Sequence, residues 1–253
     1  MTEAEGLSAL VVAHNEERQI EACLERLAFA AEIVVVLDRC TDRSGPIAHD
    51  LGARLLAGAW EREGDRRNAG IAACAGPWVL EVDADERVPP ELALEIAALI
   101  RRSEADWHEI PVDNYVGARL VRWGWGASFG KSAYAGLFRK GAKHWGNERV
   151  HPRLTFTGRK GETLRNRTQH LVDRDISDML RRLDRYSSLR AQDLRESGAI
   201  GSYGQNIRRI FSRFWKCYVS RKGYREGPYG FLIALCAGLY PILSYLKARL
   251  ETE

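Results

Sequence analysis

Residues 78–86 read WVLEVDADE. Trp78 to Val82 is an apolar run that reads as a strand and delivers Asp83, Ala84, Asp85 and Glu86 at its end. Two similar runs precede it. Leu7 to Ala13 (LSALVVA) is short, apolar and β-branched, and Glu32 to Leu37 (EIVVVL) ends directly at Asp38. Between them Ile20, Cys23, Leu24 and Leu27 recur at helical spacing, with Asn15 placed to cap that helix. Pro46 suits a first helical turn and Gly52 its end. Arg54 to Ala57 is a weaker strand, Arg66 to Ala73 a helix, and Glu91 to Arg102 an amphipathic helix after Pro89-Pro90. Strands alternating with helices of about ten residues predict a parallel sheet of βαβ units. Ligands of such sheets bind beyond the carboxyl ends of the strands. Asn15, Asp38 and the Asp83/Asp85 pair all fall at such ends.

Trp107 to His170 is irregular and rich in Trp, Gly and basic residues, and Ile176 to Glu196 reads as a long polar helix. With 253 residues, 45% of them hydrophobic and 28% charged, the chain has ordinary globular composition and fits one α/β domain plus an appendage. The net charge of +4 is uneven. From Ser197 onward nine Lys/Arg face three acids, a net of +6, which leaves −2 for the first 196 residues. A basic end points to an anionic partner surface. Five scattered cysteines without a Cys-x-x-Cys pair read as reduced thiols in a cytosolic setting. The acidic start, MTEAEGLSAL, has no secretory pattern.

Two carboxylates at i and i+2 leaving an apolar strand, Asp83 and Asp85, can meet a hard divalent ion and a diphosphate together. Mg²⁺ usually takes one or two carboxylates, with phosphates and water filling the rest. Asp38 can accept from a base N–H or a ribose hydroxyl, whereas Asp42 is expected to cap the next helix. Asn15 and Glu16 close the first strand; a helix cap and a nucleotide contact are both open to Asn15. Arg66 and Arg67, ahead of Asn68, can neutralise donor phosphates or stand in a solvated turn. Glu148 and His151, in NERVHP, are candidates for a general base. His144 and His170 read as structural, and no His/Cys spacing suggests zinc.

In the tail, Ile207, Ile210, Phe211, Phe214, Trp215 and Tyr218 form one apolar stripe, with Arg208, Arg209, Arg213 and Lys216 on other faces. That is the pattern of an interfacial helix drawn to anionic lipid. Phe231 to Leu243 (FLIALCAGLYPIL) spans only thirteen residues, interrupted by Pro241, which is short for a spanning helix.

At VVAHNEERQIEACLERL, EIVVVLDRCTDRS and WVLEVDADERVPPEL the chain resembles the family 2 glycosyltransferases of GT-A fold. The likeness continues through NYVGARLVRWGWG, GLFRKGAKHWGNERVHP and RKGYREGPYGFLIALCAGLY, which look like the branch containing lipopolysaccharide-core β-1,4-glucosyltransferases. The resemblance implies an inverting transfer from a nucleotide sugar, often UDP-glucose, with Mg²⁺ or Mn²⁺. It places Asp38 at the base, Asp83 near ribose and metal, and Asp85 on the metal. It predicts an α/β catalytic domain over 1–172, with a nucleotide-sugar half (1–112) and an acceptor half (113–172). A helical, basic, membrane-associating tail follows over 173–253. The expected acceptor is a glycan or lipid-linked molecule of the cell envelope. The expected location is the cytoplasm, peripherally on the inner face of the cytoplasmic membrane, and no nucleic-acid partner is expected.

Two departures from the pattern stand out. Val150-His151-Pro152 replaces the Val-His-Glu of relatives, and Arg39-Cys40 replaces small residues in the loop after Asp38. Other nucleotide-handling readings lack their motifs: no Gly-x-Gly-x-x-Gly or Gly-x-Gly-x-Arg loop follows the first strand, and a phosphatase Asp-x-Asp belongs there too. The alternative is a non-catalytic membrane-surface or nucleic-acid-binding protein that keeps a degenerate sugar-nucleotide fold.

Overall fold

The computed structural model describes residues 4–126, 129–148 and 152–251. The chain begins with β1 (Ala4–Ala13), α1 (Ile20–Glu25), β2 (Ala30–Asp38), α2 (Ser44–Asp50), β3 (Arg54–Gly58) and α3 (Glu63–Ala73). There follow β4 (Trp78–Asp83), β5 (Glu86–Arg87), α4 (Pro90–Arg102), β6 (Trp107–Val116), β7 (Arg119–Val121) and β8 (Ala133–Arg139). The rest is β9 (Lys143–Trp145), β10 (Leu154–Phe156), β11 (Thr168–Asp173), α5 (Ile176–Glu196), α6 (Tyr203–Trp215) and α7 (Pro228–Leu250). These form two compact units. One takes the chain through Val112, then Ala133–Glu148 and Pro152–His170; the other takes Asp113–Ser132 and the chain from Leu171 on. The halves read from the sequence as 1–112 and 113–172 are therefore interleaved, because β8 pairs with β4.

In the first unit β3-β2-β1-β4 is parallel: Val11 pairs with Val35 on one side and Val82 on the other. The expectation of a parallel sheet holds for these four strands only. β8 adds antiparallel to β4 (Leu80 opposite Leu137), and β6 antiparallel to β8, so the sheet is mixed α/β of GT-A type. Strand alternation explains the two buried faces. Leu7, Ala9 and Val11 pack with Ile20, Leu24, Leu92 and Ile96 from α1 and α4. Leu10 and Val12 turn the other way, to Val34, Val36 and Ile71. α3 lies close on that second face. A Cβ on Gly70 would sit 2.6 Å from Leu10 and 2.7 Å from Val36, so a larger residue would push the helix off the sheet.

The second unit is mainly helical. Its core joins Val116, Val121, Trp125 and Phe129 to Met179, Leu183, Ile233, Ala237 and Tyr240. α7 runs through Pro241 for 23 residues instead of breaking there, and its mean hydropathy reaches 1.7. By length and composition it can cross a membrane, yet most of that stretch is buried inside the unit. It serves as the core helix on which α5 and α6 pack. The apolar stripe of α6 accordingly splits: Ile210 and Phe214 are half-buried, while Phe211 and Trp215 are exposed.

Candidate active site

The sheet edge after β1, β2 and β4 gathers the predicted polar residues of the first unit. β4 is buried until Asp83, whose amide donates to Glu86 Oε2 at 3.2 Å and so closes the acidic turn. Arg87 clamps that turn, donating to the carbonyls of Ala84, Glu86 and Gln19 at 2.9, 2.8 and 3.1 Å. Tyr134 of β8 donates its hydroxyl to Glu86 Oε2 at 3.1 Å. Burial, reinforced by the Glu86 charge, pushes the Tyr134 phenol well above its usual range, so it stays a donor.

β5 pairs with β11, and the register sets His170 opposite Glu86. His170 Nε2 thereby comes within 3.3 Å of Asp85 Oδ2. Asp85 Oδ1 is buried and finds no hydrogen-bond donor among the described residues. A buried carboxylate oxygen without a partner is costly unless something else satisfies it. A carboxylate and an imidazole facing each other fit a divalent ion, so the residues present suit the Mg²⁺ or Mn²⁺ that the resemblance implies. Among the described residues no group of three His, Cys, Asp or Glu forms a complete metal cage. Phosphate and water would fill the remaining positions, as is usual for Mg²⁺. His170, which reads as structural in the sequence, thus joins the site.

Arg67 occupies a different place from a phosphate-binding turn. It is 9% exposed and donates to Glu63 (2.9 Å), Glu81 (2.6 Å) and Asp83 (2.8 Å), with its guanidinium over the Trp145 ring. Glu81, buried in the middle of β4, also holds Lys143 Nζ at 2.7 Å and Trp145 Nε1 at 3.2 Å. Burial opposes ionisation of Glu81, but Lys143 and Arg67 outweigh it and hold the carboxyl below its ordinary range. This network fixes Asp83 from below, and its hydrogen bonds leave Arg67 in a supporting position.

Asp38 is also fully engaged. Its buried carboxylate accepts from Arg39 Nε and a terminal Arg39 nitrogen, both at 3.0 Å, from the Trp60 amide at 3.1 Å, and from Arg66 at 3.1 Å. Burial works against the charge, and these donors overcome it, so the pKa is lowered. Arg66, not Arg67, is the neighbour that reaches this strand end.

Asn15 does not cap α1, which starts at Ile20 without a side-chain cap. With φ of 58°, Asn15 turns its Oδ1 to the amides of Thr41 (2.8 Å) and Asp42 (3.3 Å). Glu16 donates its amide to Ser44 at 2.8 Å, and Asp42 takes the amides of Glu17 and Ser44. The cap position of α2 is Arg43, without a side-chain cap, so Asp42 is not the helix cap expected; one residue earlier, it holds the Ser44 amide and ties the first two strand-end loops together.

Glu148 lies in the loop of the β9–β10 hairpin, where its Oε2 accepts the Arg153 amide at 2.9 Å. His151 lies outside the described residues. Arg62 donates to the Asn147 carbonyl at 2.5 Å, and a Cβ on Gly64 would collide with the Gly146 carbonyl. The start of α3 thus holds this hairpin loop, with Asn68 bonded both ways to the Trp145 backbone.

Residues 8–126 match the model described as Glycosyl transferase family 2. This stretch is a family 2 glycosyltransferase domain. The lipopolysaccharide core biosynthesis glycosyltransferase LpsC of Rhizobium meliloti (strain 1021) is 25% identical over 95% of this chain and 91% of its own length. An uncharacterized glycosyltransferase of Rickettsia bellii (strain RML369-C) is 24% identical over 96% of this chain and 86% of its own. Among solved structures, glucosyl-3-phosphoglycerate synthase from Mycobacterium tuberculosis, bound to Mn²⁺, UDP and glucosyl-3-phosphoglycerate, overlays with a TM-score of 0.37 at 20% identity. That overlay spans 43% of this chain and 44% of the other. The family 2 domain contains Asn15, Asp38, Asp83 and Asp85, whereas His170 and Glu148 lie downstream of it.

Proposed function

We propose that the protein is an inverting transferase that moves a hexose, glucose in the first instance, from a UDP-sugar to a lipopolysaccharide-core or other cell-envelope glycan. The observation that carries the reading is the partnerless buried Oδ1 of Asp85 beside His170, at the strand ends of a family 2 domain. The acceptor class follows the near-full-length likeness to a protein named for lipopolysaccharide core synthesis. The donor follows the motif resemblance. Work at the inner face of the cytoplasmic membrane belongs to the same reading.

In this mechanism Asp85 and His170 would hold the divalent ion, Asp83 would stand beside it, and Asn15, Glu16 and Asp38 would line the nucleoside end. The ion, when bound, neutralises charge on the departing diphosphate. The acceptor hydroxyl oxygen bonds to the anomeric carbon from the face opposite the diphosphate. The bond from that carbon to the diphosphate oxygen breaks, and the hydroxyl proton passes to a base, Glu148 or His151. Arg67, Glu81 and Lys143 keep Asp83 in place.

The test is transfer from a panel of radiolabelled UDP-hexoses to truncated-core lipopolysaccharide, with wild type, Glu148→Gln and His151→Ala. Label in the lipopolysaccharide, cut by a factor of about 10² or more in one variant at unchanged donor KM, supports the reading and names the base. Active donor hydrolysis without transfer to any envelope glycan would overturn the acceptor.

A further inference from the structure

The helical unit carries an aromatic ridge that its own core leaves uncovered. Phe211 and Trp215 of α6 are 71% and 63% exposed, and Val219 continues their line one turn on, in the π-helical segment Lys216–Ser220. Tyr218 joins this line to two further exposed rings, with centroids 6.5 Å from Tyr224 and 6.1 Å from Phe231. Phe231 in turn meets Phe214 at 5.6 Å, so the ridge is braced from α7. Scattered single apolar residues on a surface are ordinary; a connected run of them marks a contact site.

The charges around the ridge have one sign. The exposed ionisable side chains between Tyr203 and Phe231 are Arg208, Arg209, Lys216, Lys222 and Arg225. The lone acid in that stretch, Glu226, is buried and accepts the amides of Arg122 and Trp123 at 2.8 and 3.0 Å. Trp123, itself partly exposed, has Lys222 and Arg225 over its ring at 5.4 and 5.3 Å. Rings flanked by cations are the chemistry of a bilayer interface, where aromatics enter the headgroup layer and Lys/Arg meet anionic lipid.

We propose that the Phe211–Trp215–Val219–Tyr224–Phe231 ridge is the docking surface for an anionic lipid bilayer. The long apolar stretch of α7 is not the inserted element, since it is mostly buried. A second copy of the chain would set this cationic rim against another of the same sign. Nucleic acid would satisfy the charges and stack on the rings, but gives no role to the aliphatic Val219. The inference deepens the membrane location given under the proposed function and is separable from the donor-site reading, because its test measures partition and not transfer.

The test uses the full chain with vesicles of phosphatidylcholine alone and with about a third phosphatidylglycerol. Wild type should sediment with the anionic vesicles, less so at high salt, and Trp215 emission should be quenched by brominated acyl chains. Phe211→Ser with Trp215→Ser should weaken partition at least about tenfold. Lys216→Glu with Lys222→Glu should do the same and lose the salt dependence. Both pairs should keep the wild-type thermal midpoint, since all four side chains are exposed. Sedimentation unchanged by the aromatic substitutions would overturn the proposal. So would failure of wild type to bind anionic vesicles while it binds a single-stranded RNA oligonucleotide.

Discussion

Replacing Glu81 with Gln should be among the most costly single changes in the first unit. Glu81 is 2% exposed and accepts from Arg67 at 2.6 Å, Lys143 at 2.7 Å and Trp145 at 3.2 Å. Gln keeps the volume and one acceptor oxygen but removes the negative charge between two buried cations. Arg67 retains Glu63 and Asp83, whereas Lys143, 4% exposed, keeps the Ala135 carbonyl at 2.9 Å. Breaking a buried pair from one side costs about 3–5 kcal/mol, a large part of the roughly 5–15 kcal/mol that holds a typical domain. Removing Lys143 as well should return part of this, because Glu81→Gln with Lys143→Met leaves fewer unbalanced buried charges. The assay is urea unfolding followed by Trp fluorescence and far-UV circular dichroism for wild type, both single variants and the double. A Glu81→Gln cost below about 1 kcal/mol, the scale of an exposed ion pair, would refute the buried network as the support of Asp83.

Other consequences follow from the same geometry. Arg39, half exposed, covers the Asp38 carboxylate that is to accept from the nucleoside; Arg39→Ser should tighten nucleoside-diphosphate binding up to about fivefold by calorimetry, and weaker binding would assign Arg39 itself to the ligand. Asp38 and Glu81 are both held below their ordinary values of 3.8 and 4.5 in the folded state. The unfolded chain therefore takes up these protons first as pH falls, so their contribution is complete above about pH 5 and drains away below it. Thermal midpoints from pH 6 to 3 should drop for wild type and drop less steeply for Glu81→Gln, and parallel slopes would contradict this.

The strand ends are legible because β1, β2 and β4 are mostly apolar runs with few polar residues, and a polar residue follows the apolar stretch of each. Asp38, Asp83 and Asp85 could be found from that alone. His170 could not: it reaches Asp85 through the pairing of β11 with the two-residue β5, a register fixed by tertiary packing. Glu81 reads as one polar residue within WVLEV, and its burial depends on cations from α3 and β9 far along the chain. Asn15 reads as a helix cap because the local pattern fits one, but its left-handed backbone turns it to the neighbouring loop. In the tail, periodicity located the apolar stripe of α6 but not which half α7 would cover. Pro241 reads as an interruption for a related reason: tertiary burial outweighs its missing hydrogen bond, and the helix continues.

In the proposed transfer Asp85 and His170 would hold a divalent ion where the donor's diphosphate binds. The most direct test is calorimetric binding of a panel of nucleoside diphosphates, with and without Mn²⁺ or Mg²⁺, to wild type, Asp85→Ala and His170→Ala. Wild type should bind one nucleotide only with the metal, Asp85→Ala should lose that binding, and His170→Ala should bind about 10–100-fold more weakly. Metal-independent binding that survives in Asp85→Ala would contradict it.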